Sequence, residues 1–187
     1  LNHFFISLIL VFFTKIKFSH ASFLKRGLLR IKKSKYLSLK CLSVHIGSQI
    51  LSYKPYQNML SVINRILKKS NHNFEYIDLG GGMGIDYYHN NSKLDLKKYA
   101  QSIEKFLKIN NCRIIFEPGR FIVGNSAVLI TKVIYIKEGY KKDFIILDAA
   151  MNDFMRPALY GSKHKIMPIK KSNRTTKKSY EFVGPIC

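Results

Sequence analysis

Three short segments of this sequence place residues with useful chemistry directly after an apolar run. His45 follows residues 41–44, three glycines at positions 80–82 follow residues 76–79, and Glu117 and Arg120 follow residues 114–116. A carboxylate can keep an aromatic ring nitrogen protonated, and a guanidinium binds phosphate or carboxylate oxygens as a fork. The N–H groups of a glycine loop can point at phosphate oxygens. Together the segments predict a site for a small phosphorylated ligand.

Each of these features also has a purely structural explanation when it stands alone. The glycines suit a tight turn between a strand and a helix, Glu117 and Arg120 suit pairing with each other, and a lone histidine is more often a satisfied core residue. The glycine pattern is neither G-x-G-x-x-G nor a P-loop, which disfavours a nucleotide but leaves a smaller phosphate open. The combination of the three features favours function.

The intervening residues must bring the three strand ends to one edge of a sheet. Apolar residues recur at three- and four-residue spacing within 59–67 and within 96–107, which predicts two amphipathic helices. The order is therefore strand, helix, strand, helix, strand. Such alternation predicts a parallel sheet, in either an α/β barrel or an open doubly wound fold.

Residues 4–13, F-F-I-S-L-I-L-V-F-F, form an apolar run that is rich in β-branched and aromatic residues. A signal peptide or an interfacial membrane anchor is one explanation, and a buried parallel strand is the other. No basic residue precedes the run and no small-residue cleavage site follows it, so the strand is favoured. A membrane partner is accordingly not expected.

The last third of the sequence changes its periodicity. Residues 128–136 and 144–147 indicate strands without a long helix between them. We therefore expect a β-rich domain to begin near Val133, so that residues 1–132 and residues 133–187 belong to different domains.

Composition limits the class of partner and the compartment. The chain has 187 residues, with 32 Lys and Arg against 11 Asp and Glu, and a formal net charge of +21. The lysines occur as scattered pairs without the basic stripe or interleaved aromatic residues of a nucleic-acid groove, so nucleic-acid binding is disfavoured. Three cysteines without C-x-x-C spacing favour a reducing compartment, which makes the cytoplasm the expected location. No metal site is predicted.

Five segments, taken in order, resemble a known family. They are H-I-G-S-Q from His45, D-L-G-G-G-M-G-I from Asp78, E-P-G-R from Glu117, D-A-A-M-N-D-F-M-R-P-A-L-Y from Asp148, and V-G-P-I-C ending at Cys187, with a Lys-Phe step at 17–18. They resemble the alanine-racemase-like, fold-type III decarboxylases that use pyridoxal 5'-phosphate, and within them the diaminopimelate decarboxylase family. Ornithine and arginine decarboxylases of that fold lack the likeness at 148–160, so the substrate assignment depends on this block.

The resemblance implies an α/β fold made of the C-terminal part of a (β/α)8 TIM-type barrel followed by the start of a β-rich domain. It implies pyridoxal 5'-phosphate as cofactor and meso-diaminopimelate as substrate, with L-lysine and carbon dioxide as products. It also implies a homodimer with shared active sites.

The same resemblance assigns roles to individual residues. The residues implied to bind the cofactor are His45 against its ring, Ser48, Gly80, Gly81 and Gly82 at its phosphate, Glu117 at its pyridine nitrogen, and Gly119 and Arg120 of the E-P-G-R motif. Arg120 is also implied to contact the substrate.

Three further residues are implied to act on the substrate. Arg156 and Tyr160 are implied to bind its distal amino-acid head. Cys187 is implied to be the general acid, supplied across a dimer interface, and a thiol titrates near enough to neutrality to donate a proton.

The sequence departs from the family pattern in two places. No lysine here matches the Tyr-Ala-x-Lys-like context of the family's Schiff-base lysine, and Ser43 stands where the family often has a histidine. A complete α/β barrel typically needs roughly 250 residues. We therefore expect a fragment of a decarboxylase that is inactive by itself. The alternatives are a non-catalytic remnant of such an enzyme, or a related basic amino-acid decarboxylase.

Overall fold

The structure is a computed structural model that describes residues 6–13, 21–87, 92–170 and 178–186. The chain divides into two compact units. The first comprises residues 1–85 and 92–126, and the second comprises residues 86–91 and 127–187. Helices and strands occur in both units, so the expected α/β class is confirmed.

Strands and helices alternate along the first unit. Its elements are β1 (Ile6–Phe13), α1 (Ala21–Lys32), β2 (Leu37–His45), α2 (Lys54–Ser70), β3 (Tyr76–Asp78), α3 (Leu96–Leu107), β4 (Arg113–Ile115) and α4 (Arg120–Val123). The four strands are parallel and neighbour one another in chain order, β1-β2-β3-β4. The carboxyl ends of β2, β3 and β4 therefore lie side by side, as the sequence predicted.

Residues at the helix ends define where the two helices predicted from the periodicity begin or end. Pro55 occupies the first turn of α2, and Asn71 ends that helix in a left-handed conformation with φ 46°. The Asp95 side chain accepts the Lys98 N–H at 3.0 Å and caps α3. Helix α1 was missed by the sequence analysis. The predicted strand at 4–13 corresponds to β1, which begins at Ile6, and residues 4 and 5 lie outside the described part of the chain.

The sheet has one face packed against helices and one face that carries polar groups. Leu42 and Ile77, which are 0% exposed, lie in a single core cluster with residues of α2 and α3. Burial of an aliphatic side chain of this size stabilises the fold by about 1.5–3 kcal/mol. Because side chains alternate along a strand, Cys41, Ser43 and His45 of β2 lie on the opposite face.

The second unit contains a small mixed sheet. Its elements are β5 (Val133–Lys137), β6 (Asp143–Leu147), α5 (Arg156–Tyr160) and β7 (Tyr180–Val183). The sheet order is β5-β6-β7, with β5 antiparallel and β7 parallel to β6. Lys178 forms ion pairs with Asp143 at 2.6 Å and with Glu138 at 3.2 Å, so the chain before β7 is tied to β6. The hydrogen bond from Lys178 holds the pKa of the Asp143 carboxyl below its usual range.

The predicted strand at 128–136 is wrong over residues 128–132, because β5 begins only at Val133. Immediately before β5, the Asp148 carboxylate accepts the Thr131 hydroxyl at 2.6 Å and the Lys132 N–H at 2.8 Å. The Lys132 N–H therefore bonds to a side chain instead of a strand ladder. Among the described residues, no helix is both long and apolar enough to span a membrane.

We predict that Tyr56 contributes to an alkaline loss of stability. Tyr56 is fully buried, its ring centroid lies 4.4 Å from that of Tyr99, and burial raises the pKa of Tyr56 from 10.0 to about 12. Because the folded-state pKa exceeds the unfolded one, the protonated phenol stabilises the fold below about pH 10, and this contribution disappears as the pH rises through about 12. Tyr56→Phe should therefore lose less stability between about pH 8 and about pH 11 than the wild type, measured by urea unfolding.

Tyr140→Phe is the matched control, because Tyr140 is fully exposed. Burial also raises the pKa of Tyr99. Tyr99 should therefore cause some loss of stability at alkaline pH in every variant. Identical losses in the wild type and Tyr56→Phe would contradict the prediction.

Candidate active site

The loops after β2, β3 and β4 are held together by backbone hydrogen bonds that continue past the strands. The Glu117 N–H donates to the Gly80 carbonyl at 2.9 Å, which joins the loops after β3 and β4. The Ile50 N–H donates to the Gly82 carbonyl at 2.9 Å, and the Gly84 N–H donates to the Ile50 carbonyl at 3.0 Å. The loop after β3 is therefore bonded to both neighbouring loops.

This close approach requires glycine at the centre. A Cβ atom on Gly81 would collide with the Glu117 carbonyl oxygen, and a Cβ atom on Gly82 would collide with the Gly47 carbonyl oxygen. Gly80 and Gly82 also have φ values of 66° and 85°, which L-residues with side chains rarely adopt. The glycines thus have a structural role, and the binding role expected of them stays a prediction.

A buried carboxylate supports the glycine loop from the polar face of the sheet. Asp78 accepts the Ser43 hydroxyl at 2.9 Å and the Gly80 N–H at 2.8 Å, and the Asp78 and Ser43 residues are each 6% exposed. Burial raises the pKa of the neighbouring Cys41 thiol, and a hydrogen bond with the Asp78 backbone offsets only part of that effect. Cys41 therefore remains a neutral thiol beneath the site.

His45 ends β2 and contacts the glycine loop directly. Its ring is half-buried, and its Nδ1 lies 3.4 Å from the Gly81 nitrogen in a hydrogen bond that the Gly81 N–H donates. An accepting Nδ1 places the proton of the neutral ring on Nε2. The contact thus links the imidazole to the glycine loop.

Gln49 connects all three loops through its side chain. Its Oε1 accepts from the Arg120 Nη1 at 3.0 Å and from the Ile85 N–H at 3.3 Å, while its Nε2 donates to the Ile85 carbonyl at 2.6 Å. Arg120, at the start of α4, is thereby linked to the loop after β2 and to the loop after β3.

Most of the predicted site residues lie at this edge of the sheet. The glycine loop at 80–82 contacts both His45 and Glu117, and the Glu117 side chain is exposed. Gly119 begins α4 next to Arg120. Ser48 is exposed on the loop after β2, between Gly47 and Gln49.

The remaining predicted residues are not among the described residues of the first unit. Arg156 and Tyr160 belong to α5 of the second unit, where the Arg156 guanidinium carbon lies 5.7 Å from the centroid of the Tyr160 ring. Cys187 and the Lys-Phe step at 17–18 lie outside the described residues.

Three residues that contact the site were missed by the sequence analysis. Asp78 and Gln49 stand inside segments that it singled out, but neither was given a role. Tyr56, whose hydroxyl donates to the Gly81 carbonyl at 3.3 Å, carried no signal beyond its place in an amphipathic helix. Only the fold brings its hydroxyl to the glycine loop.

Comparison with known proteins identifies relatives of this chain. The family described as "Pyridoxal-dependent decarboxylase, pyridoxal binding domain" matches residues 13–124. The diaminopimelate decarboxylase of Zymomonas mobilis is 41% identical over 162 residues, which cover 83% of this chain and 38% of that protein. The diaminopimelate decarboxylase of Aquifex aeolicus is 37% identical over 158 residues, which cover 83% of this chain and 37% of that protein.

Solved structures agree with the sequence relatives. The structure of diaminopimelate decarboxylase from Helicobacter pylori, complexed with L-lysine, superposes with a TM-score of 0.80 at 38% identity, covering 89% of this chain and 42% of that chain. The chain thus spans about two-fifths of the length of the relatives that it matches.

We predict that Gly81→Ala destabilises the protein, because the added Cβ would meet the backbone of the loop after β4. Overpacking of this kind costs about 1–3 kcal/mol, which urea unfolding can measure. Gly27→Ala is the control, since a Cβ atom there meets nothing within 4 Å and Gly27 lies within α1. The control should be neutral or stabilising by up to about 1 kcal/mol. Equal stability of Gly81→Ala and the wild type would show that the loops do not approach in this way.

Proposed function

Because this chain belongs to the pyridoxal-dependent decarboxylase family, we propose that it is part of a diaminopimelate decarboxylase. Such an enzyme uses pyridoxal 5'-phosphate to convert meso-diaminopimelate to L-lysine and carbon dioxide. The observation that carries the proposal is the convergence of His45, the three glycines and the Glu117–Arg120 segment at one edge of a parallel sheet. The identity to diaminopimelate decarboxylases along most of the chain supports the choice of substrate.

The proposal includes the domain organisation. Residues 1–132 would form part of a (β/α)8 barrel that binds the cofactor, and residues 133–187 would begin a β-rich domain. The strand order supports a barrel, because neighbours in this sheet follow chain order, whereas a doubly wound sheet reverses its order at a switch point. Since the chain spans about two-fifths of its relatives, the activity is proposed for the complete protein.

The residues present fit the proposed cofactor. An added Cβ at Gly47 or Gly119 would meet no heavy atom within 4 Å, so open space adjoins the loops after β2 and β4. The exposed Glu117 carboxylate, the partly buried Arg120 and the half-buried His45 supply an acceptor, a cation and an aromatic face beside these loops. This set of groups matches a phosphorylated pyridine: a carboxylate for the ring nitrogen, a guanidinium for the phosphate and an imidazole for the ring face.

Each of these groups has a proposed place around the cofactor. His45 packs against the ring, Glu117 faces the pyridine nitrogen, and Ser48, the loop at 80–82 and Arg120 bind the phosphate. Within that loop the Gly80 N–H already bonds to Asp78 at 2.8 Å and the Gly81 N–H bonds to His45 Nδ1 at 3.4 Å. The contribution of Gly80 is therefore to the shape of the loop. When bound, the cofactor supplies an electron sink that makes loss of carbon dioxide feasible.

The proposed substrate roles fall to three residues of the second unit, Arg156, Tyr160 and Cys187. The planar guanidinium of Arg156 suits a carboxylate of the distal amino-acid head, and the Tyr160 ring lies beside that guanidinium. Cys187 would donate the proton that replaces carbon dioxide on the substrate. A cysteine supplied by a partner subunit requires at least a dimer, so we propose a homodimer with shared active sites, located in the cytoplasm.

The test is decarboxylation by the complete protein that contains this sequence, loaded with pyridoxal 5'-phosphate. We expect carbon dioxide release from meso-diaminopimelate, with kcat/KM at least about 100-fold above that for L-ornithine, L-arginine or L-lysine. A preference for one of the other amino acids would identify a related basic amino-acid decarboxylase. Binding of the cofactor without release of carbon dioxide from any of the four would identify a non-catalytic remnant.

Arg156→Lys should raise KM for meso-diaminopimelate by about tenfold or more with little change in kcat, because lysine keeps the charge but loses the fork that binds a remote carboxylate. Arg26→Lys, at an exposed position of α1, is the matched control and should leave both constants unchanged. An unchanged KM in Arg156→Lys would remove Arg156 from the substrate site.

A further inference from the structure

We propose that Gln49 is a positioning residue, which aims the Arg120 guanidinium at the anionic group of the bound ligand. The proposal rests on the proposed function for the identity of that anion, pyridoxal phosphate. No role was expected for Gln49 from the sequence. The inference comes from the contacts of its side chain and from its backbone conformation.

The side chain of Gln49 uses both ends of its amide. Two bonds join it to the backbone of Ile85, through its Nε2 to the carbonyl at 2.6 Å and through its Oε1 from the N–H at 3.3 Å. This paired contact fixes the plane of the amide and therefore the position of Oε1. The same Oε1 accepts from the Arg120 Nη1 at 3.0 Å, so the direction of the guanidinium is set by the loop after β3.

The backbone conformation of Gln49 also indicates that this residue has a specialised role. Its φ of 60° lies in the left-handed region, where a residue with a long side chain is uncommon. Among the described non-glycine residues, the other positive φ belongs to Asn71, which ends a helix. Gln49 ends no helix or strand. Glycine would adopt this conformation with less strain, but it would provide none of the three side-chain bonds.

The neutrality of the amide matters as much as its position. A glutamate at this site would also accept from Arg120, but its negative charge would offset the guanidinium and oppose an incoming anion. A glutamine accepts from the guanidinium without placing a further negative charge beside it. Gln49 is therefore suited to positioning an arginine that must bind phosphate.

The first experiment tests the contact without cofactor, in the complete protein. Rotation of the Arg120 guanidinium about its Nε–Cζ bond is measured by NMR on 15N-labelled protein. In Gln49→Met, which keeps the length of the stem and hence its packing, rotation should become faster than in the wild type. In Gln49→Glu it should remain slow. Gln57→Ala, at an exposed position of α2, is the matched control and should change nothing. Unchanged rotation in Gln49→Met would overturn the proposal.

The second experiment measures the dissociation constant of pyridoxal phosphate for the wild type, Gln49→Met, Arg120→Ala and the double variant. If Gln49 acts through Arg120, Gln49→Met should weaken binding about tenfold in the wild type and less than about twofold in the Arg120→Ala background. A residue that only supported the loop at Ile85 would weaken binding equally in both backgrounds, and that result would overturn the proposal.

Gln49→Glu separates orientation from charge. In this variant the rotation of the Arg120 guanidinium should remain slow, while the affinity for pyridoxal phosphate falls. Wild-type affinity in Gln49→Glu would overturn the role given to the neutral amide. Failure of the wild type to bind pyridoxal phosphate would count against the proposed function, whereas the rotation measurement decides separately whether Gln49 holds Arg120.

Discussion

The close approach of three loops at the carboxyl edge of one parallel sheet is the constraint on which the site depends. Backbone hydrogen bonds continue beyond β2, β3 and β4, from Ile50 to Gly82 and from Glu117 to Gly80. No room remains between these loops for a Cβ atom on Gly81. Glycine is therefore needed at position 81 because the backbones of two loops pack directly against each other. The flexibility that glycine gives to a turn would not explain this close contact. The imidazole, the carboxylate and the guanidinium are brought together by that packing.

The two faces of the sheet differ in the side chains that they carry. Leu42 and Ile77 bury their side chains against the helices, whereas Ser43 and Asp78, one residue further along the same strands, present polar groups to the opposite face. A buried carboxylate needs hydrogen-bond partners, and Asp78 finds them in Ser43 and in the first glycine of the loop. The strand alternation thus places a rigid anchor directly beneath the loop. The same alternation puts His45 at the end of β2 on the site side.

Elements set by a local pattern could be predicted from the sequence, whereas contacts between distant segments could not. Helices α2 and α3 were predicted because their apolar residues repeat at helical spacing, and the strand ends were predicted because each apolar run stops at a distinctive residue. The predicted start of the strand at Val128 was wrong, and next to the observed start at Val133 the Lys132 N–H bonds to the side chain of Asp148, which is distant in sequence. Gln49 had no recognised role, because its partners Ile85 and Arg120 are 36 and 71 residues away.

Net charge and site geometry act over different ranges, and only geometry can select a ligand. A chain of charge +21 attracts anions of every kind, including phosphates, carboxylates and nucleic acids, over roughly the 8 Å of the Debye length at physiological salt. That attraction cannot distinguish one anion from another. Discrimination requires groups fixed at short range, and here the Arg120 guanidinium is held by a neutral amide while the glycine loop is held by a buried carboxylate. The excess of lysine therefore strengthens attraction in general, whereas hydrogen bonds of 2.8 to 3.0 Å fix the particular groups that could discriminate between anions.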